Sequence, residues 1–327
     1  MCRDLPALPR RQLLLAGLAT ALPAWAQSAA WPHKSLRLVV AFPPGGLADV
    51  MCRVVQPTLA AALGQTLVVD NRAGAAGNLA ASEVVANGKD GHSLLVTTST
   101  TESVNPAMFA RMPVDFDKDL QPVGQLANSL LFLIARPGLP VNTLKDLVAH
   151  AKAHPDTLSY GSAGVGTTPH LAGELFKQAA GITAAHVPYR GAAPAIQDVM
   201  AGQVDFAFAP GTVLPSMKAG KLKVLAVASR QRSSSAPTIP TFEELGYADV
   251  VADTRFGVYA PAGLPAAAVE LFNRELNKAL ALPETQRRFT ELGADAVPLT
   301  PAAYRGVVQA ETRLFRGIVK ARGITAE

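Results

Sequence analysis

The 327 residues include 30 basic and 25 acidic side chains, a net charge of +5, with 49% apolar and 17% charged residues. That length and balance suit a globular chain of two domains with a sizeable core and exclude a disordered or low-complexity protein. The mild, evenly spread charge, with no basic run interleaved by aromatics, argues against a nucleic-acid partner.

An export signal is expected at residues 1–26. Arg10-Arg11 precedes a short apolar core, Gln12 to Ala19, and Ala24-Trp25-Ala26 forms an A-x-A cleavage site. A Sec signal and a twin-arginine signal both fit this pattern. Cleavage after Ala26 removes Arg3, Arg10, Arg11 and Asp4, bringing the net charge to +3, and leaves Cys52 without a disulfide partner in the chain. No later stretch is apolar enough to span a bilayer, so an exported, periplasmic protein is expected.

Short apolar runs then alternate with amphipathic stretches, the pattern of an α/β protein with mainly parallel sheets. Strands are predicted at 36–42, 66–70 and 93–97, with helices at 47–63 and from the loop Asn71–Gly77 to about 86. The polar cluster Thr98-Ser99-Thr100-Thr101 follows the third strand. From Leu120 the rhythm restarts, with strands at 130–135, 158–160, 184–188, 204–208, 222–228 and 255–260. Helices are expected at 143–153, 168–179 and 192–201, and the chain closes on helices at about 265–280, 284–292 and 301–321. Crossing segments near 125–130 and 250–256 would join two α/β units, giving one lobe from 27–127 with 254–327 and an inserted lobe from 128–253. Ligands of open α/β sheets bind beyond the carboxyl ends of strands.

Two glycine-rich loops occupy such ends. Pro43-Pro44-Gly45-Gly46 enters the first helix, and Gly161 to Leu171 runs from a strand into another, with Thr168 placed as N-cap and Pro169 at the first helical position. Unpaired N–H groups and the positive end of the helix dipole make such a start a site for an anion. The second loop approaches the P-loop pattern, but Thr167 stands where the phosphate-binding lysine belongs. Ser162 is not at the centre of G-x-S-x-G, which leaves a Ser162–His170 pair as the hydrolase reading and a ligand-free tight turn as the plain structural one. Asp49 is expected to orient the first helix. His150 and His154 lie four apart without a third ligand, so no metal site is assigned.

The ordered segments Phe42-Pro43-Pro44-Gly45-Gly46 with Asp49, Asn71-Arg72, Asn105-Pro106, Tyr160 to Leu171, His186-Val187-Pro188-Tyr189-Arg190-Gly191, Gly202-Gln203-Val204-Asp205 and Ala260-Pro261-Ala262-Gly263 span the mature chain. In these it resembles the Bug family, the periplasmic solute-binding proteins of tripartite tricarboxylate transporters. The resemblance implies a two-lobed type II periplasmic-binding-protein fold without cofactor or catalytic residue. It also implies capture of a small carboxylate (a di- or tricarboxylate, an acidic amino acid or an aromatic acid) for a membrane permease. Gly45, Gly46 and Leu47 become one grip; Ser162, Val165, Gly166, Thr167 and Thr168 become the other. Tyr189, Arg190 and Asp205 lie near the cleft by the same analogy, and Ser99 and Thr100 complete it. Arg190 is expected either to pair with a second ligand carboxylate or to sit at the surface. Leu47 stands where small or polar residues are usual, which favours a ligand with hydrophobic bulk. A ligand-sensing partner of a membrane receptor fits the same features.

Overall fold

The computed structural model describes residues 31–323 apart from 110 and 234; the export signal expected at 1–26 lies outside the described residues. One sheet begins with β1 (Leu36–Val40), α1 (Leu47–Leu63), β2 (Leu67–Asn71), α2 (Asn78–Asn87) and β3 (Ser93–Thr98). A π-helical turn over Thr100–Val104 and the short α3 (Asn105–Met108) then lead to β4 (Leu120–Ser129).

The chain crosses into a second sheet through β5 (Leu131–Ala135), α4 (Leu144–Ala153), β6 (Ser159–Ser162), α5 (Thr168–Ala180) and β7 (Ala185–Pro188). This unit continues with α6 (Ala192–Ala201), β8 (Phe206–Pro210), α7 (Leu214–Lys218) and β9 (Lys223–Val227). It returns through β10 (Thr254–Pro261), α8 (Ala266–Ala281), α9 (Pro283–Glu291), β11 (Ala294–Ala296) and α10 (Pro301–Arg322).

The strand orders are β11-β4-β10-β3-β1-β2 and β7-β6-β8-β5-β9. Each sheet is mixed rather than mainly parallel. β1 pairs parallel with β2 and β3, and β6 with β7 and β8. The strands that carry the chain between sheets run the other way: β10 against β3 and β4, β5 against β8 and β9. A crossing chain that leaves one sheet and rejoins it has to reverse direction, which alternation of apolar runs does not reveal.

Local sequence signals account for α1 and α4. In α1, Met51, Cys52, Val55, Leu59 and Leu63 recur at helical spacing and are buried in the first sheet's core, and Gly64 in the left-handed region closes the helix. In α4, Thr143 and Asp146 form a capping box. In the second sheet, Phe176, Phe206, Phe208 and Phe242 pack edge-on and stacked around one core. Among the described residues no helix is long and apolar enough to cross a membrane.

Candidate functional site

Both glycine-rich loops reach the space between the sheets. Gly46 is the N-cap of α1, with φ −70° and ψ 164° and no side-chain cap. The Gly45 N–H donates to Asp49 Oδ2 at 2.9 Å, and Arg53 Nε donates to both Asp49 oxygens at 3.1 Å. Burial alone would push the Asp49 carboxyl up, but Arg53, the Gly45 N–H and Asn71 outweigh it and hold the group below the usual carboxylate range. Asp49 thus stays ionised and fixes the loop. The first N–H groups of α1, at Leu47 and Ala48, have no intrahelical acceptor.

A cavity of about 270 Å³ opens beside them, lined by Gly45, Gly46, Leu47 and Ala48 from this loop, by Thr98 at the end of β3 and by Thr100 in the π-helical turn that follows. From the second sheet come Ala163, Thr167, Pro169, Gly191, Ala192 and Ala193. Gly191 is the N-cap of α6, so the first N–H groups of α6, at Ala192 and Ala193, also face this space without intrahelical partners. Gly191 sits against the Pro43 ring, which brings the α1 and α6 starts side by side. Leu131, Ile196 and Phe256 supply apolar wall, and Ser129 and Thr254 supply hydroxyls. None of the described lining residues is charged. Two helix N-termini on a neutral cavity give it a positive potential without a formal charge.

The lobes also touch directly. Thr100 Oγ1 lies 2.9 Å from Thr168 Oγ1 and accepts the Thr168 N–H at 2.9 Å. Gly166 is packed against Phe109 and Asn105 of the first sheet's unit, and Gly211 lies backbone to backbone against Gly293.

These contacts redistribute the expected site. Gly45, Gly46, Leu47, Thr100 and Thr167 line the cavity. Thr167, not Thr168, is the N-cap of α5, so Pro169 falls one position later than expected. Thr168 is buried and spends its N–H on Thr100, while Pro169 has none to offer, so α5 presents far less of a donor array than its loop suggested. Ser99 is buried too, its Oγ accepting from the Arg255 N–H at 3.2 Å. Val165, Tyr189 and Arg190 line a second, adjoining cavity of about 630 Å³, separated from the first by Phe42, Pro43, Ala163 and Gly191, which border both. Tyr189 donates its hydroxyl to Asp198 at 2.7 Å, and Arg190 is exposed.

Asp205 is displaced furthest. It precedes β8 at the amino end of that strand, where it accepts from Arg136 Nε and the Ser159 N–H, both at 2.8 Å; the cavity lies at the carboxyl ends. Its place beside a cleft motif in the sequence reflects chain proximity only, because β8 carries the chain some five residues before it reaches the cleft at Pro210.

Ser162 does not pair with His170. Its Oγ lies 2.6 Å from His186 Nε2, and it is fully buried outside the cavity. His170 Nδ1 instead accepts the Gly166 N–H at 3.2 Å and its ring stacks on His186, centroids 4.1 Å apart. Burial, then the neighbouring His170, pushes His186 down to about 4, and burial lowers His170 as well. The two imidazoles therefore stack as neutral rings at neutral pH. Among the described hydrogen bonds no carboxylate orients His186, so the pair lacks the third member that activates a serine nucleophile. Ser162 and His186 hold the Gly loop from behind. Leu131, Ala193, Ile196 and Phe256 line the cavity without having been assigned to it from the sequence, and Thr98 was noted only as part of the polar cluster after the third strand.

Two mixed α/β lobes in contact around a neutral cavity rimmed by helix N-termini define a two-lobed ligand-binding protein. The chain belongs to the tripartite tricarboxylate transporter receptor family: residues 51–324 match the model described as "Tripartite tricarboxylate transporter family receptor". It is 35% identical over 296 residues to Protein BugT of Bordetella pertussis, covering 90% of each chain. Among solved structures it is similar to Rpa4515 of R. palustris with adipate, with a TM-score of 0.86 and 31% identity over 90% of this chain and 99% of that one. It is also similar to MatC (Rpa3494) from Rhodopseudomonas palustris with bound malate, with a TM-score of 0.83 and 29% identity over 88% of this chain and 100% of that one.

Proposed function

We propose that this protein is exported to the periplasm, captures a small carboxylate between its lobes without chemically changing it, and delivers it to a membrane permease. The observation that carries the reading is the convergence of the α1 and α6 N-termini on an uncharged cavity. Charge-assisted hydrogen bonds contribute about 1.5–3 kcal/mol each. Four or five of them, less the cost of ordering, reach the roughly −8 kcal/mol of micromolar affinity with no lysine or arginine in the cavity. Relatives of the same fold hold malate and adipate, which supports a carboxylate ligand.

In this reading 27–127 with 254–327 form one lobe and 128–253 the other. They hinge where β4 passes into β5 and where the chain returns to β10. Ligand binding favours the closed arrangement only through contacts made in that state. Calorimetry of residues 27–327 against a panel of mono-, di- and tricarboxylates and their amides tests the proposal. At least one acid is expected to bind with micromolar affinity or better while its amide does not; an amide bound as tightly as its acid would contradict an anion site.

A further inference from the structure

Helix α10 carries a face that the cleft does not use. Its Tyr304, Val308, Phe315 and Val319 are buried. Arg305, Arg313, Arg316 and Lys320 lie on another face at intervals of eight, three and four residues, all exposed. Exposed cations on the two preceding helices are answered within a turn: Arg274 and Lys278 of α8 meet Glu275, and Arg287 of α9 meets Glu284 and Glu291. The acid of α10, Glu311, is turned inward to Arg255 instead. Among the described residues none of the four cations has an ion-pair partner. Arg316 stands three residues from Arg313 and four from Lys320, like-charge neighbours that disfavour the helix unless an anion lies across them.

Three of these cations border a groove of about 630 Å³ between α10 and the segment 112–122. Its floor is apolar, made by the buried or half-buried Val114, Phe116, Pro122 and Val308. Its exposed rims differ in sign: Arg305, Arg313 and Arg316 on the α10 side, Asp115 and Asp117 on the other, with Asp115 paired to Lys118 at 2.8 Å. A row of cations beside an apolar floor suits an anion that has an apolar side. A flat anionic bilayer would press on Asp117 as it met the arginines, and it could not enter to reach Val114 or Pro122. A chain can. From Arg305 to Lys320 the helix rises about 22 Å, the reach of roughly seven extended residues. In an extended segment alternate side chains point to opposite sides, so acids turned to the arginines and apolar residues turned to the floor fit one strand. Pairing of the same face on two copies of this chain would set like charges together.

We infer that this face of α10 and its groove are a docking surface for an acidic protein segment whose acids alternate with apolar residues. Under the delivery reading above, the membrane permease is the protein that carries such a segment. The groove shares no lining residue with the carboxylate cavity, so docking and capture can each fail alone. Fluorescence anisotropy of residues 27–327 with two labelled eight-residue peptides, one alternating Glu and Leu and one alternating Glu and Ser, tests the inference. The Leu peptide should bind about fivefold or more tightly than the Ser peptide of equal charge, because only it covers the floor. Arg313→Glu with Arg316→Glu should weaken it about tenfold or more while leaving carboxylate affinity unchanged. Lys152→Glu with Lys221→Glu, the same charge change on exposed residues of the other lobe, should alter it less than about twofold. Equal binding of the two peptides, or equal losses in the two double variants, would reduce the effect to net charge and overturn the inference. So would tighter binding to phosphatidylglycerol vesicles than to the Leu peptide, or self-association that sedimentation velocity shows and Arg313→Glu with Arg316→Glu abolishes.

Discussion

Gly166→Val should weaken binding of the tightest acid at least a hundredfold while far-UV circular dichroism is retained and the unfolding midpoint falls only by the few degrees that its backbone cost implies. Gly166 has φ +78°, a left-handed conformation that costs a residue with a Cβ about 1–2 kcal/mol. A Cβ there would also stand 2.7 Å from Phe109 Cε2 and 3.1 Å from Asn105 Oδ1, atoms of the opposite lobe. The backbone cost falls on open and closed states alike. The clash with Phe109 exists only when the lobes meet, so it appears as lost affinity. Since each tenfold is about 1.4 kcal/mol, a hundredfold loss asks for about 2.7 kcal/mol against the closed state, within reach of a side chain wedged into a packed contact. Gly166→Ala should fall between the two. Unchanged affinity in Gly166→Val would remove the Phe109 contact from the closing surface.

Arg255→Met should lower stability by about 3–5 kcal/mol, read as a fall in the urea midpoint at neutral pH. Arg255 is 4% exposed on β10 and bonds Glu102 at 3.1 Å and Glu311 of α10; Tyr304 donates to the other Glu102 oxygen at 3.0 Å. Removing the guanidinium strands the fully buried Glu102 carboxylate. Glu311, which burial already pushes up to about 7 against the pull of Arg255, loses that compensation as well. The sign with pH follows. Carboxylates whose folded pKa is raised above the unfolded value bind more protons in the fold, so the variant's deficit should shrink on acidification and grow toward neutral pH. Adding Glu102→Gln and Glu311→Gln should recover most of the loss, because the stranded charges go with the arginine. A variant within 1 kcal/mol of the parent at neutral pH would mean that the network contributes nothing to stability.

The helices were legible because their signals are local. The span of α1 follows from apolar spacing closed by Gly64, and that of α6 from the turns at Gly191 and Gly202. β4 was missed: Gln121, Pro122, Gly124, Gln125 and Asn128 break its apolar pattern, and Pro122 is tolerated because it falls at a register irregularity against β10. The π-helical turn at Thr100–Val104 carries no periodic signal of its own. At the site, Gly45 to Leu47 and Thr167 stood out because loops that start helices have a recognisable composition. Leu131 and Phe256 did not: pairing of β10 with β3 sets Phe256 opposite Thr98 across 158 residues of chain, while Leu131 opens β5 of the other sheet, which pairs with β8 and β9. Thr168 and Ser162 belong to the right loop, yet one is spent on Thr100 and the other on His186. Composition identifies a donor; only packing tells where the donor is directed.

If a carboxylate sits where α1 and α6 begin, a crystal structure of residues 27–327 with the tightest acid should show its oxygens within hydrogen-bonding distance of the N–H groups of Leu47 or Ala48 and of Ala192 or Ala193. A carboxylate found instead against Arg190 in the adjoining cavity would contradict that placement.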